Sequence, residues 1–117
     1  MDDLKVAQLS FSSGIYLQAS FHCQQAIEKS LKGLYIYVFD SDPPYTHDLT
    51  RLYKLFENTK YYSESRMILF GGINPFYIQS RYPSYKVEVS KSLTKQKVES
   101  YINLSKEVIK WLEVNPT

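Results

Sequence analysis

The sequence predicts an all-α protein, an up-and-down bundle of four or five helices, and three observations support this fold class. Apolar residues recur at helical spacing along most of the chain. Strand signals are weak, and the 4 glycines and 5 prolines are too few for a turn-dense β-sandwich. The turn-forming residues stand far enough apart to leave stretches of helical length. The 117 residues then form a single domain, residues 1–117.

Five helices are predicted, over residues 2–16, 18–39, 46–58, 62–70 and 88–113. The fourth has a possible continuation to residue 79. The first begins at the acidic start of the chain. The second has the clearest amphipathic pattern, because its apolar side chains fall on one face at about 100° per residue. Small residues on that face admit a close neighbouring helix, and the face comprises Ala19, Cys23, Ala26, Ile27, Ser30, Leu31, Leu34 and Val38.

The later helices have start and stop signals of their own. Thr46 stands where an N-cap would begin the third helix, since its hydroxyl can accept a hydrogen bond from an amide of the first turn. Gly71 and Gly72 are candidates to kink or end the fourth helix, because glycine inside a helix costs about 1 kcal/mol. The last helix repeats the apolar stripe of the second, with Val98, Ile102, Ser105, Ile109 and Leu112.

Composition excludes several classes of protein. Hydrophobic residues make up 44% and charged residues 22%, which excludes disordered and collagen-like chains. A net charge of +2 is too weak to indicate nucleic-acid binding by electrostatics alone. No stretch approaches the roughly 18 apolar residues of a membrane span, and the N-terminus has no apolar signal core. The single cysteine, Cys23, cannot form an internal disulfide, so a cytoplasmic protein is predicted.

Apolar residues on the polar side of the second helix favour a second interface. Phe21, Ile36 and Phe39 project on or beside the face that carries Lys29 and Lys32. In a chain with 11 tyrosines, this pattern favours a two-fold homodimer. The alternative is that the short first and fourth helices cover these side chains.

The polar face of the second helix is the first candidate site. Lys29 and Lys32 form a small cationic strip able to contact phosphates, with Gln25 and Glu28 orienting them. The alternative is a solvated helix face, on which Glu28 and Lys32 form an i,i+4 pair worth about 0.2–0.5 kcal/mol.

The start of the third helix is the second candidate site. His47 and Asp48 are neighbours in Thr-His-Asp-Leu, and such a pair can act as an oriented acid and base. The alternative is helix capping, because Asp48 would lie where the helix dipole favours a carboxylate. A metal site is not predicted, since two histidines 25 positions apart and one cysteine have no ligand spacing, and no cofactor is expected.

The segment before the last helix is the third candidate site. Pro83 restricts Tyr82 to extended backbone, so Arg81 and Tyr82 lie in a loop. There the planar guanidinium of Arg81 can clamp a phosphate or stack on a base. The alternative is an arginine that ties the loop to helix carbonyls.

The three segments in this order resemble the HEPN domain (higher eukaryote and prokaryote nucleotide-binding), in its small stand-alone prokaryotic form. The resemblance rests on Gln25, Glu28, Lys29 and Lys32, on Thr46 to Leu49, and on Arg81 to Pro83. It covers the chain from about Leu4 to Leu112.

The resemblance implies a dimerising bundle of four or five helices. It also implies an intracellular protein paired with a minimal nucleotidyltransferase in a toxin–antitoxin-like module. Related domains bind nucleotides or RNA, and many are metal-independent ribonucleases in which four to six residues separate an arginine from a following histidine. Neither His22 nor His47 follows an arginine at that spacing, and the residue at that place after Arg81 is Lys86. Lysine, with an ordinary pKa of about 10.4, is a poor acid–base group at neutral pH.

Three functional hypotheses follow. The first is a homodimeric module that binds a nucleotide or RNA phosphate through Gln25, Glu28, Lys29, Lys32, His47, Asp48, Arg81 and Tyr82. The second is a divergent metal-independent ribonuclease in which Arg81 stabilises the charged phosphorane and His47 contributes from elsewhere in the fold. The third is a non-catalytic partner of a nucleotidyltransferase. Because the arginine–histidine motif is missing, the sequence favours binding over catalysis.

Overall fold

The computed structural model describes residues 2–79 and 93–114, with the side chains of Ile78, Gln79 and Val114 excepted. All regular secondary structure in these ranges is helical, which confirms the predicted all-α class. The helices are α1 (Asp3–Ser12), α2 (Tyr16–Phe39), α3 (Leu49–Lys54), α4 (Glu64–Ile73), the single turn α5 (Phe76–Gln79) and α6 (Lys95–Val114).

Helix α2 is the centre of the bundle and contacts each of the other five helices. Its small residues Ala19 and Cys23 are fully buried, so that α1 and α6 pack closely against it. A sharp turn joins α1 to α2, and Gly14 adopts the positive φ of 75° that this turn requires. At its other end, α2 stops at Asp40, which adopts the left-handed conformation. No helix in the described ranges combines the length and the apolar character needed to cross a membrane.

Two helix boundaries differ from the predicted ones for identifiable reasons. Asp48, not Thr46, is the N-cap of α3, and the Thr46 hydroxyl accepts instead from the Asp48 amide. The helix ends at Lys54, and turns closed by backbone hydrogen bonds between residues three apart follow it as far as Thr59. Gly71 and Gly72 do not end α4, which continues to Ile73 before Pro75 interrupts it.

The other ends also shift by a few residues. Helix α1 stops at Ser12 rather than at residue 16. Residues 93 and 94 are not helical, and the Thr94 hydroxyl accepts from the Lys97 amide at the start of α6. The predicted start at residue 88 lies outside the described residues.

The apolar residues predicted on the polar side of α2 have different environments. Phe39 packs against Tyr35 and Phe56, with ring centroids 4.7 and 5.6 Å away, so the α3 region covers it in part. Phe21 meets the ring of His22 edge-on at 5.0 Å. Ile36 remains 50% exposed. Phe39 is nevertheless 39% exposed, so Ile36 and Phe39 share an exposed apolar surface one helical turn apart on α2.

Candidate functional site

Glu28 is the centre of the candidate site, and its side chain is buried, unlike in the alternative of a solvated helix face. The residue is 8% exposed. One carboxylate oxygen, Oε2, accepts hydrogen bonds from Lys32 Nζ at 3.0 Å and from His47 Nδ1 at 2.9 Å. The other, Oε1, accepts from Gln24 Nε2 at 3.1 Å. The i,i+4 pair with Lys32 is therefore part of a buried network and not an isolated surface pair.

Gln24 is a component of this network that the sequence interpretation missed. Its side chain is fully buried, and Nε2 donates both to Glu28 and to the backbone carbonyl of His47 at 3.3 Å. Its Oε1 accepts from Gln25 Nε2 at 2.6 Å. Gln24 thus joins α2 to the segment before α3. Its position in the sequence could have indicated this burial, because Gln24 lies three residues before Ile27 and seven before Leu31, on the apolar face of the helix. A polar side chain on such a face needs a hydrogen-bond partner.

His47 lies at the open side of the site between two aromatic rings. Its side chain is 46% exposed, and its ring centroid is 6.0 Å from that of Tyr45 and 5.1 Å from that of Tyr77. Tyr45 is 92% exposed, and Lys32 Nζ is 5.9 Å from its ring centroid. The sequence interpretation named neither tyrosine. Both become relevant because the fold brings α5 and residue 45 to the same histidine.

Charge in the network depends on His47. Burial by itself would raise the pKa of Glu28, but hydrogen bonds from Lys32, His47 and Gln24 outweigh it and lower that pKa below the ordinary value. Because an ionised carboxylate can only accept, His47 Nδ1 is the donor and Nε2 is the remaining polar atom of the ring. The three groups carry no net charge with His47 neutral, and one positive charge with His47 protonated.

Asp48 has a structural environment separate from that of His47. Its Oδ1 accepts from the Thr50 and Arg51 amides, from the Thr50 hydroxyl and from Asn74 Nδ2 at 2.8 Å. Asn74 Oδ1 in turn accepts from the Leu49 amide. Burial would raise the pKa of Asp48, but these hydrogen bonds lower it. The partner that orients His47 is therefore Glu28 and not the adjacent aspartate.

Lys29 belongs to a second network at the start of α1. Its Nζ donates to Asp3 Oδ2 at 2.6 Å, and Asp3 Oδ1 pairs with His22 Nδ1 at 2.9 Å. Burial would raise the pKa of Asp3, but the hydrogen bonds from Lys29 and His22 lower it. Lys29 and Lys32 are thus each held by a different carboxylate, so they do not form the continuous cationic strip that was predicted.

Among the predicted site residues, the fold joins Gln25, Glu28, Lys32 and His47 in one network through Gln24. Asp48 is next to it in sequence but faces α3, and Lys29 is tied to α1. Arg81 and Tyr82 lie outside the described residues. Within residues 2–79 and 93–114, no three His, Cys, Asp or Glu side chains are grouped as a metal site would require.

The fold and the site together define an all-α bundle in which a buried carboxylate holds a lysine and a half-exposed histidine at one opening. A family model for the HEPN domain matches residues 1–115, and the chain belongs to the HEPN domain family. This membership indicates a nucleotide- or RNA-related function. No match was found among curated proteins or among solved structures.

Proposed function

We propose that this protein is a cytoplasmic nucleotide- or RNA-binding module whose ligand phosphate contacts Lys32 and His47. The observation that carries the proposal is the network in which Glu28 Oε2 holds both side chains, at 3.0 and 2.9 Å. Both remain open to a ligand, with 27% of the Lys32 side chain and 46% of the His47 side chain exposed. A phosphate oxygen can accept from Lys32 Nζ and from Nε2 of a protonated His47.

The aromatic side chains next to this network support a nucleotide as the ligand. Tyr45 offers a ring that is 92% exposed, and a base can stack on it while the phosphate contacts Lys32. Stacking of this kind tolerates different bases, because every base has a π-face. Arg81 and Tyr82 follow Tyr77 by four and five residues and are proposed as further phosphate and base contacts. Lys29 is proposed to contribute positive potential rather than direct contact.

The test is binding of a fluorescent single-stranded RNA oligonucleotide and of unlabelled mononucleotides, measured by anisotropy and calorimetry. Lys32→Gln and Arg81→Glu are each expected to weaken binding about tenfold or more, because each removes a charge-assisted contact. Lys54→Gln is the matched control, since Lys54 is paired with Glu57 on the surface of α3. Equal affinity in the wild type and both site variants, with all of them folded, would contradict the proposal.

The hydrogen-bonded pair of Glu28 and His47 favours a second candidate function, a metal-independent ribonuclease. A carboxylate on Nδ1 orients the ring, so Nε2 of neutral His47 can take the proton of an attacking 2′-hydroxyl. Arg81 would then stabilise the charge on the phosphorane. Cleavage of RNA in a chelator-containing buffer that is lost in both His47→Ala and Arg81→Ala would support an enzyme. No cleavage by a folded wild type would leave the binding module.

The partners we propose are a second copy of the chain and a minimal nucleotidyltransferase, with which the chain forms a toxin–antitoxin-like pair. Support comes from the family membership and from the resemblance of the three polar motifs. The neighbouring reading frame in the genome tests the second partner, followed by co-purification of the two products. Co-purification without any nucleotide or RNA binding would favour the third hypothesis, a non-catalytic interaction partner.

A further inference from the structure

The side-chain amide of Gln24 can take only one orientation in the bundle. Its Nε2 donates one hydrogen to Glu28 Oε1 at 3.1 Å and the other to the His47 carbonyl at 3.3 Å. Its Oε1 accepts from Gln25 Nε2 at 2.6 Å. A rotated amide would turn its oxygen towards a carboxylate and a carbonyl, which can both only accept. Both donor hydrogens of Gln24 are therefore committed to the candidate site.

This orientation determines which oxygen of Glu28 is left for the two partly exposed side chains. Gln24 occupies Oε1, and Lys32 Nζ and His47 Nδ1 both bind Oε2, at 3.0 and 2.9 Å. Because the two nitrogens share one acceptor, they lie no farther apart than the sum of these two distances. The ammonium group and the imidazole ring are therefore presented side by side, where one phosphate group can contact both.

Gln24 also holds the backbone that carries His47. Between residues 41 and 47, no backbone amide or carbonyl bonds to another backbone group within the described part of the chain. The His47 carbonyl accepts instead from Gln24, whose side chain is fully buried on α2. A buried side chain that bonds both to Glu28 and to the backbone of His47 fixes the position of one relative to the other.

We propose that Gln24 is the positioning residue of the ligand site. It does not touch the ligand, but it holds Glu28 and His47 in the arrangement that the ligand phosphate requires. The inference rests on the proposed function, since it names the residue that keeps the groups of that site in place. The alternative is that Gln24 only satisfies buried polar groups, in which case it contributes to stability and not to the site.

The position of the proton on His47 reports on this arrangement without any ligand. Glu28 fixes the proton of neutral His47 on Nδ1, whereas a histidine without such a partner favours Nε2. Nitrogen NMR of the imidazole rings at about pH 9 distinguishes the two forms. Gln24→Met nearly keeps the size of the side chain but removes its donors, and it is expected to shift His47 towards the Nε2-protonated form. His22 is the internal control, because its Nδ1 pairs with Asp3.

Binding of the fluorescent RNA oligonucleotide is the second measurement. Gln24→Met is expected to weaken RNA binding about tenfold, because Lys32 and His47 then no longer meet one phosphate in a fixed arrangement. Gln18→Met is the matched control on the same helix, since Gln18 contacts His22 in the other network. It should bind RNA as the wild type does.

A loss of stability by itself needs a separate control, which Tyr53→Phe provides. This substitution removes a buried hydroxyl that donates to the Tyr61 carbonyl and accepts from the Ser63 amide. It is expected to lower the urea midpoint, as Gln24→Met does, while the signal of His47 and the affinity for RNA stay those of the wild type. A structural role for Gln24 would make the two variants alike in all three measurements.

Gln24→Asn is the second variant and decides the question if Gln24→Met does not fold. It keeps an amide, but its side chain is one methylene shorter and cannot bond to Glu28 and to the His47 carbonyl at the same time. The same shift of the His47 proton and the same weaker binding are expected.

The outcomes separate this inference from the proposed function. An unchanged His47 signal with unchanged RNA binding in a folded Gln24 variant would overturn the positioning role, and so would a wild type in which neutral His47 is protonated on Nε2. A wild type that binds neither RNA nor nucleotides would overturn the proposed function. In that case, a shift of the His47 proton in Gln24→Met would still show that Gln24 orders the two side chains.

Discussion

His47 donates to Glu28 across 2.9 Å, and this hydrogen bond joins the central helix α2 to the segment before α3 over 19 positions of sequence. The oxygen that accepts it, Oε2, also accepts from Lys32. A buried carboxylate thereby presents a cation and a histidine at one opening of the bundle. The positions of the Lys32 and His47 side chains both depend on this one carboxylate.

Glu28→Gln is expected to lower the free energy of unfolding at pH 7 by about 1–3 kcal/mol. The substitution removes the buried negative charge that accepts hydrogen bonds from Lys32 and His47. The pKa of Glu28 is lower in the folded protein than its unfolded value of about 4.5, so its contribution is present above that pH. It is lost as the pH falls through the folded pKa. Urea unfolding should therefore show the difference from wild type shrinking below about pH 4. A difference that is constant with pH would contradict this, and Glu57→Gln on the surface is the control.

Substitutions at Asp48 and at His47 are expected to have different effects on stability and on RNA binding, although the two residues are neighbours in sequence. Asp48→Ala removes the N-cap of α3 and should lower stability by about 1–2 kcal/mol. Asp48→Asn keeps an oxygen that can cap the helix and should retain most of the stability. His47→Ala removes one donor to the buried Glu28 carboxylate, so it should lower stability by about 1 kcal/mol and in addition weaken RNA binding, which Asp48→Asn should not do. If Asp48→Asn instead weakened binding as much as His47→Ala, Asp48 would contact the ligand directly.

Arg66 is expected to be more important for stability than an ordinary surface cation. It makes two hydrogen bonds to Glu107 at 3.0 and 2.9 Å and one to the Tyr61 carbonyl, and it lies 5.0 Å from the ring centroid of Trp111. Arg66→Lys loses the bidentate geometry and should lower stability by about 1–2 kcal/mol. Unfolding can be followed by the fluorescence of Trp111. Lys54→Ala, which removes an exposed pair, should change stability by less than about 0.5 kcal/mol, and an equal effect would contradict the prediction.

The adjacent glycines of α4 are expected to respond differently to alanine. A Cβ at Gly71 would lie 3.9 Å from Thr50 Cγ2, an ordinary contact, so Gly71→Ala should stabilise by about 0.5–1 kcal/mol through helix propensity. A Cβ at Gly72 would lie 3.1 Å from the Tyr101 hydroxyl, which must move. Gly72→Ala should therefore gain less. In a Tyr101→Phe background the two substitutions should become equivalent in thermal unfolding, and a persistent gap would point to another cause.

Cys23 is expected to be unreactive in the folded protein. Burial raises its pKa to about 11, and the side chain is fully buried on the core face of α2. Since the thiolate is the reactive form, a disulfide reagent at pH 7.5 should label Cys23 only as fast as the protein opens. Labelling in urea, which exposes the thiol, is the control. Rapid labelling in native buffer would mean that α1 or α6 leaves α2 readily.

The helix patterns were predictable because they are local, while the exact caps were not. Thr46 and Asp48 are both good N-cap residues, and the sequence signal named Thr46. Asp48 is the cap in the structure because Asn74 donates to its carboxylate and accepts from the Leu49 amide. Asn74 lies at the end of α4, so the choice depends on a tertiary contact. The same reason explains why Tyr77 was missed as a neighbour of His47.

The amino-acid sequence alone determined the helical class, the central amphipathic helix and the family resemblance, because periodicity and short motifs depend on residues close in the chain. Tertiary structure alone decided which polar groups meet. It buried Glu28 between Lys32 and His47, and it tied Lys29 to Asp3, 26 positions away. The position of a residue in a helix defines the direction in which its side chain leaves the helix axis. Which other side chain it then meets depends on the path of the whole chain.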